Sequence, residues 1–71
     1  MKIEVGKIYL DGFGHIHEIF GYTKYNKDFV WSLSQHFRQE DGRVIYNGEP
    51  RQIPTPWDLV KEYLESKENE W

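Results

Sequence analysis

Three arginines lie close together in the sequence and could recognise an anion. Arg38, Arg43 and Arg51 fall within fourteen consecutive positions, and all six lysines lie outside that stretch. A guanidinium group presents a planar fork of donors that matches phosphate or carboxylate, and aromatic rings beside it can stack on a flat ligand. We therefore predict a ligand or partner site here. Its residues are Arg38, Arg43, Arg51, Trp31, His36 and Tyr46.

The same arginines have an alternative use. Acidic residues stand next to them in the sequence at Glu40, Asp41 and Glu49. Surface ion pairs with these carboxylates would contribute about 0–1 kcal/mol each and would leave the arginines without a ligand. The sequence leaves both interpretations open.

Three histidines indicate a second kind of chemistry. His15 and His17 are two positions apart, which places them on the same side of a strand, as at the start of some zinc sites. His36 or an acid such as Glu18 would have to complete the set. A small metal-dependent or hydrolytic enzyme using His15, His17 and His36 is therefore one alternative, and a pair of surface histidines is the plainer one. Ser32 and Ser34 lie in a predicted strand without a nucleophile motif. We predict no catalytic residue, no metal and no cofactor.

Antiparallel strands would position these side chains. Apolar alternation and β-branched or aromatic residues predict strands over residues 2–10, 15–22 and 29–38. Asp41-Gly42 is a two-residue hairpin signal, followed by a return strand over residues 43–46. The arginines on either side of that turn should therefore lie close together.

The last third of the chain carries the signals of a helix. Thr55 can cap its first amides, Pro56 suits the first helical position and Asp58 favours the positive end of the helix dipole. These signals predict one helix over residues 56–66, followed by a frayed tail over residues 67–71.

The predicted fold class is mainly β (α+β). It is a small SH3-like, strongly bent antiparallel sheet of four or five strands with one C-terminal helix, in a single domain over residues 1–71. Trp57, Val60 and Leu64 fall on one face of the helix. We expect that face to be buried against Ile8, Leu10, Ile16 and Leu33.

Composition limits the classes of partner. The chain has 71 residues, no cysteine and a net charge of −3. Residues 1–56 carry seven basic and seven acidic side chains, whereas residues 57–71 carry two and five. This distribution argues against nucleic acid as a partner, because non-specific binding needs a basic face. No apolar run reaches the length of a membrane span and no signal peptide is visible, so we expect a cytoplasmic protein.

The order of short motifs resembles that of small early proteins of tailed bacteriophages. Those proteins have a G-K-x-Y strand, an aromatic strand, a D-G-R hairpin and a D-L-V helix. The matching segments here are Gly6-Lys7-Ile8-Tyr9, Phe29-Val30-Trp31, Asp41-Gly42-Arg43 and Asp58-Leu59-Val60. Characterised proteins of this group block a host enzyme, inhibit a defence system or sequester a nucleotide signal.

The resemblance implies a non-enzymatic phage protein that inhibits or sequesters a host component. The partner would be a host protein or a nucleotide-like small anion. Aromatic residues make up 17% of the chain. Such residues either fill the core of a small domain or form a surface that contacts a partner. Pairing into a homodimer is a further expectation, and an acidic C-terminal helix that mimics DNA is a further alternative.

Overall fold

Eight short β-strands make up the fold. The structure is a computed structural model that describes residues 1–63, and it contains no helix in that range, hence none that could cross a membrane. The strands are β1 (Ile8–Asp11), β2 (Ile16–Glu18), β3 (Gly21–Tyr22), β4 (Phe29–Trp31), β5 (His36–Arg38), β6 (Ile45–Tyr46), β7 (Glu49–Pro50) and β8 (Leu59–Glu62). All pairings are antiparallel, in two three-stranded sheets and one two-stranded ribbon. The mainly β class is therefore confirmed.

The first sheet joins the two ends of the described chain. β1 lies between β2 and β8, with Tyr9 opposite both His17 and Glu62. The register with β8 shifts between Leu10 and Asp11, as at a β-bulge. Because side chains alternate along a strand, Tyr9, Asp11 and His17 all face the interior, where they are buried.

The second sheet has the order β3-β4-β5 and separates a buried face from an outer face. Val30 pairs with Phe37, and both are fully buried. Trp31 lies opposite Gly21 on one side and His36 on the other. The outer face therefore carries Trp31 and His36.

The predicted strands were too long, which is why eight short strands replace four or five. Residues 29–38 form a hairpin instead of one strand, because Ser32 N–H donates to the Gln35 carbonyl at 2.8 Å and closes a tight turn. Residues 15–22 supply β2 to the first sheet and β3 to the second.

The turn signals of the sequence correspond to turns in the structure. Asn47 and Gly48 have φ values of 55° and 83° and connect β6 to β7, as expected for a two-residue hairpin turn. Gly42 has φ of +82°, and a Cβ there would lie 3.1 Å from the Leu59 Cβ. The Gly42 carbonyl also accepts the Leu59 N–H at 2.9 Å. The Asp41-Gly42 turn therefore packs directly against β8.

One apolar cluster lies between the sheets. It draws on four of the eight strands and on three positions outside them. Its members are Ile3, Tyr9, Ile19, Val30, Phe37, Val44 and Leu59. Since each element contributes only one or two side chains, the core depends on contacts that are distant in sequence.

The predicted helix over residues 56–66 is wrong in the part that the structure describes. Asp58 N–H donates to the Thr55 carbonyl at 3.1 Å, and Thr55 Oγ1 donates to Asp58 Oδ1 at 2.9 Å, so the expected cap forms a turn instead. The chain then enters β8 and pairs with β1. This tertiary pairing overrides a local helix preference, which is only a weak determinant. Residues 64–66 and the predicted tail over residues 67–71 lie outside the described residues.

The predicted burial of the helix face is wrong for the same reason. Trp57 and Val60 are 45% and 56% exposed. Along a strand, alternate side chains face opposite sides, and Leu59 points into the core with an exposure of 4%. Of the expected contact residues, Ile16 and Leu33 are exposed, Ile8 and Leu10 are half-buried, and Leu64 lies outside the described residues.

Candidate functional site

Three polar side chains form a hydrogen-bonded chain between the two three-stranded sheets. His17 Nε2 lies 2.9 Å from Asp11 Oδ2, and His17 Nδ1 lies 3.4 Å from Ser32 Oγ. Asp11 Oδ1 also accepts the backbone N–H groups of Phe13 and His15, both at 2.9 Å. Asp11, His17 and Ser32 are all buried. We refer to these three residues as the buried polar chain.

The electrostatics of the buried polar chain favour an ionised carboxylate. Burial raises the pKa of Asp11, but the hydrogen bonds from His17 and from the two backbone amides together outweigh burial, and the pKa lies below its ordinary value. An ionised carboxylate only accepts hydrogen bonds, so His17 Nε2 carries a hydrogen and donates to it. The Ser32 hydroxyl donates its one hydrogen to the Gln35 carbonyl at 3.1 Å, and its oxygen lies beside His17 Nδ1.

A carboxylate, an imidazole and a hydroxyl are the components of a nucleophilic triad, but this arrangement differs from one. Ser32 is only 5% exposed, and its Oγ lies 3.1 Å from the Gln35 carbonyl and 3.2 Å from the Gln35 N–H. A substrate carbonyl cannot reach a hydroxyl in this position. The geometry therefore favours a role in fixing one sheet against the other.

The sequence interpretation missed this chain because its members are separated by six and fifteen positions. Of the three residues, only His17 and Ser32 were considered at all, and for other roles. The available signal was the alternation along β2, which turns His17 toward the same side as the buried Ile19.

The three histidines considered as metal ligands are not brought together. His15 Nδ1 lies 3.7 Å from Asp11 Oδ2 with a largely exposed side chain, whereas His17 is buried beside the same carboxylate. His36 lies on the second sheet, where its Nδ1 is 3.1 Å from the Tyr25 hydroxyl. Within residues 1–63, no three His, Cys, Asp or Glu residues are grouped so that they could hold a metal ion.

Two of the predicted site arginines hold one carboxylate. Arg38 donates to both oxygens of Asp41, with its Nε 3.1 Å from Oδ1. Arg43 places its Nε 3.4 Å from Asp41 Oδ2 and its backbone N–H 3.1 Å from Oδ1. The hydrogen bond from Arg38 is the main cause that lowers the pKa of Asp41 below its ordinary value. These two arginines are thus partly engaged within the hairpin.

The third arginine is differently placed. The Arg51 guanidinium carbon lies 5.1 Å from the centre of the Tyr46 ring, in a cation–π arrangement. It makes no ion pair with residues 1–63. Arg43 Nη1 donates to the Arg51 carbonyl at 3.2 Å, which ties the two segments together. We refer to Arg38, Arg43, Arg51 and Tyr46 as the arginine face.

An open depression of about 500 Å³ lies beside the arginine face, and Tyr46 is not among the residues that line it. All three guanidinium-bearing residues line it, together with Glu49, Pro50 and Gln52. Three carboxylates lie near these three cations: Asp41 pairs with Arg38 and Arg43, Glu40 lies close enough to raise the pKa of Arg38, and Glu49 lines the depression.

The other two predicted site residues lie on a neighbouring surface. Trp31 packs against Phe20 with ring centres 5.1 Å apart, and His36 against Tyr25 at 5.9 Å. Arg38 connects the two surfaces, since it follows His36 by two positions on β5. Comparison with protein-family models, curated proteins and solved structures finds no match for this chain.

Proposed function

We propose that this chain is a non-enzymatic, phage-type binding protein that inhibits or sequesters a component of its bacterial host. Its scaffold would be a small SH3-like, strongly bent antiparallel sheet, and it would act in the host cytoplasm. The order of motifs that resembles early phage proteins supports the phage assignment. The arginine face supports a role in binding.

The cation–π contact between Arg51 and Tyr46 is the observation that carries this proposal. Tyr46 is 60% exposed and Arg51 is also exposed, and neither residue belongs to the apolar core. A guanidinium that already contacts a ring has less conformational entropy to lose when it binds a ligand. Arrangements of this kind suit the recognition of a planar anion.

The chemistry of the arginine face defines the ligand class. Arg51 offers a fork that pairs with no carboxylate of residues 1–63, Arg43 adds a second donor group beside it, and the Tyr46 ring offers a flat apolar surface. A phosphate attached to a base, or a carboxylate at the edge of a host protein, meets these requirements. Trp31 and His36 extend the surface beyond Arg38.

Affinity capture with a surface variant tests the proposal. The tagged full chain is incubated with bacterial lysate, and retained proteins and small metabolites are quantified by mass spectrometry. We expect a component that the wild type retains and Arg51→Ala loses at least about tenfold, the loss typical of one charge-assisted hydrogen bond.

Lys61→Ala is the matched control, because it removes a cation from the exposed side of β8 and should retain the component. Retention of the same component by Arg51→Ala and by a Tyr46→Ala variant would contradict the proposed site.

A further inference from the structure

Another open depression lies beside β3, on the side of the second sheet that faces away from the Trp31 ring. Gly21 pairs with Trp31 and Tyr22 pairs with the buried Val30, and successive side chains of a strand point to opposite faces. The depression has a volume of about 500 Å³ and is lined by Tyr22, Thr23, Lys24, Lys27 and Gln39. We refer to it as the lysine depression.

The two cations of the lysine depression have no carboxylate partner within residues 1–63. Lys24 and Lys27 are exposed and make no ion pair with that part of the chain, and no acidic residue lines the depression. Asp28 follows Lys27 in the sequence but lines a different depression, together with Lys2 and Arg38. The lysine depression therefore offers two positive charges to an anion, whereas Asp41 already holds two of the arginines.

Hydrogen bonds hold the loop that carries both lysines. Thr23 Oγ1 donates to the Asn26 carbonyl at 2.6 Å and accepts the Asn26 N–H at 3.2 Å. The Thr23 N–H donates to the Phe29 carbonyl at 2.9 Å, and the Phe29 N–H donates to the Asn26 carbonyl at 3.1 Å. Lys24 and Lys27 thus extend from a backbone that is already ordered, which reduces the entropy lost when a ligand binds.

Tyr22 adds an aromatic wall to the lysine depression. Its ring is 47% exposed and does not belong to the apolar core. Gln39 Nε2 donates to the Tyr22 hydroxyl at 3.1 Å, which ties β3 to the segment that follows β5. The ring therefore has a fixed position beside the two cations.

We propose that the lysine depression binds a small aromatic phosphate, with the phosphate between Lys24 and Lys27 and the aromatic group against Tyr22. A phosphate monoester carries a charge of about −1.5 to −2 at pH 7, which matches two ammonium groups better than the single charge of a carboxylate. Lysine binds phosphate as a point charge. The volume lies within the range of about 300–1,000 Å³ for small-molecule sites. This site goes beyond the proposed function, because it does not involve Arg51 or Tyr46.

An NMR titration of the isotope-labelled full chain tests this inference. The probes are phenyl phosphate, inorganic phosphate and benzoate, which separate the contribution of the phosphate from that of the ring. We expect phenyl phosphate to bind most tightly of the three and to cause saturable shifts in the backbone amides of residues 22–27 and Gln39. Lys24→Ala and Lys27→Ala should each weaken this binding about tenfold, the loss typical of one charge-assisted hydrogen bond.

Lys61→Ala is the matched control, because it removes the same charge from an exposed position on β8 and should bind phenyl phosphate like the wild type. Both lysines of the depression are exposed, so their variants should keep the fold, which the dispersion of the amide spectrum verifies. Absence of saturable shifts at the named amides, unchanged affinity in both lysine variants, or equal affinity for benzoate or inorganic phosphate would each overturn the proposal. Shifts confined to the amides of Tyr46 and Arg51 would place the ligand on the arginine face and would overturn it as well.

Discussion

At the scale of single residues, the environment of each charge decides its role. Asp41 holds two of the three arginines, so their forks already have a partner within the hairpin. The Arg51 guanidinium lies beside the Tyr46 ring and makes no ion pair with residues 1–63. The Asp11 carboxylate, in contrast, is buried. It accepts hydrogen bonds from two backbone amides and from the His17 ring.

Replacing Asp11 should destabilise the protein. Asp11→Ala leaves two backbone amides and His17 without their acceptor inside the structure, which costs about 1–3 kcal/mol for each unsatisfied group. We expect a clear drop in melting temperature. Asp28→Ala is the control, because the Asp28 side chain is exposed and should be replaceable with little effect. Equal melting temperatures for the two variants would show that the buried polar chain does not stabilise the fold.

Acid should destabilise the wild type through the same carboxylates. The pKa of Asp11 and of Asp41 is lower in the folded protein than the ordinary value of 3.8. Both groups therefore contribute stability above that value, and the contribution is lost as the pH falls through the lower folded pKa. Chemical denaturation between pH 6 and 2 should show a steeper loss for the wild type than for Asp41→Asn, and parallel curves would contradict this assignment.

At the scale of secondary-structure elements, local sequence signals predicted where turns occur but did not predict which strands pair. Asn47-Gly48 forms the two-residue turn that its backbone preferences specify. The two-residue hairpin predicted at Asp41-Gly42 is instead a loop over residues 39–42, which the hydrogen bond from Arg38 N–H to the Arg43 carbonyl closes at 2.8 Å. The strand β8 depends on pairing with β1, some fifty positions earlier, and no local pattern reveals such a partner. For the same reason the sequence identified the arginines near the hairpin, whereas it did not identify the buried polar chain.

Two adjacent residues distinguish a strand from a helix at this point. Leu59 is 4% exposed and Val60 is 56% exposed, whereas the predicted helix would have buried Val60. Leu59→Ala should cost about 2–5 kcal/mol of unfolding free energy as a buried truncation, and Val60→Ala less than about 1 kcal/mol. Urea denaturation of both variants measures this. A larger loss for Val60→Ala would favour the helix.

At the scale of the whole molecule, the first sheet ends in two edges. Within residues 1–63, β2 and β8 each pair on one side only, and they carry the exposed side chains of Ile16 and Val60. Open edges with apolar side chains favour pairing with another chain. The expected homodimer would form along such an edge, with two-fold symmetry as in most oligomers.

Light scattering over a range of concentrations tests self-association. We expect the wild type to approach the mass of a dimer at high micromolar concentration. Ile16→Lys places a charge on the β2 edge and should shift the equilibrium to the monomer, since lysine on an edge strand opposes edge pairing. A monomeric wild type at every concentration would contradict the prediction.

The central claim is that the chain acts by stoichiometric binding through its surface. The most direct measurement is native mass spectrometry of the purified chain with the component that it captures, for the wild type, Arg51→Ala and Ser32→Ala. We predict a complex of fixed stoichiometry in which the component keeps its mass, which is lost in Arg51→Ala and retained in Ser32→Ala. Substoichiometric conversion of the component to a product of different mass, abolished by Ser32→Ala, would contradict the claim and identify the buried polar chain as catalytic.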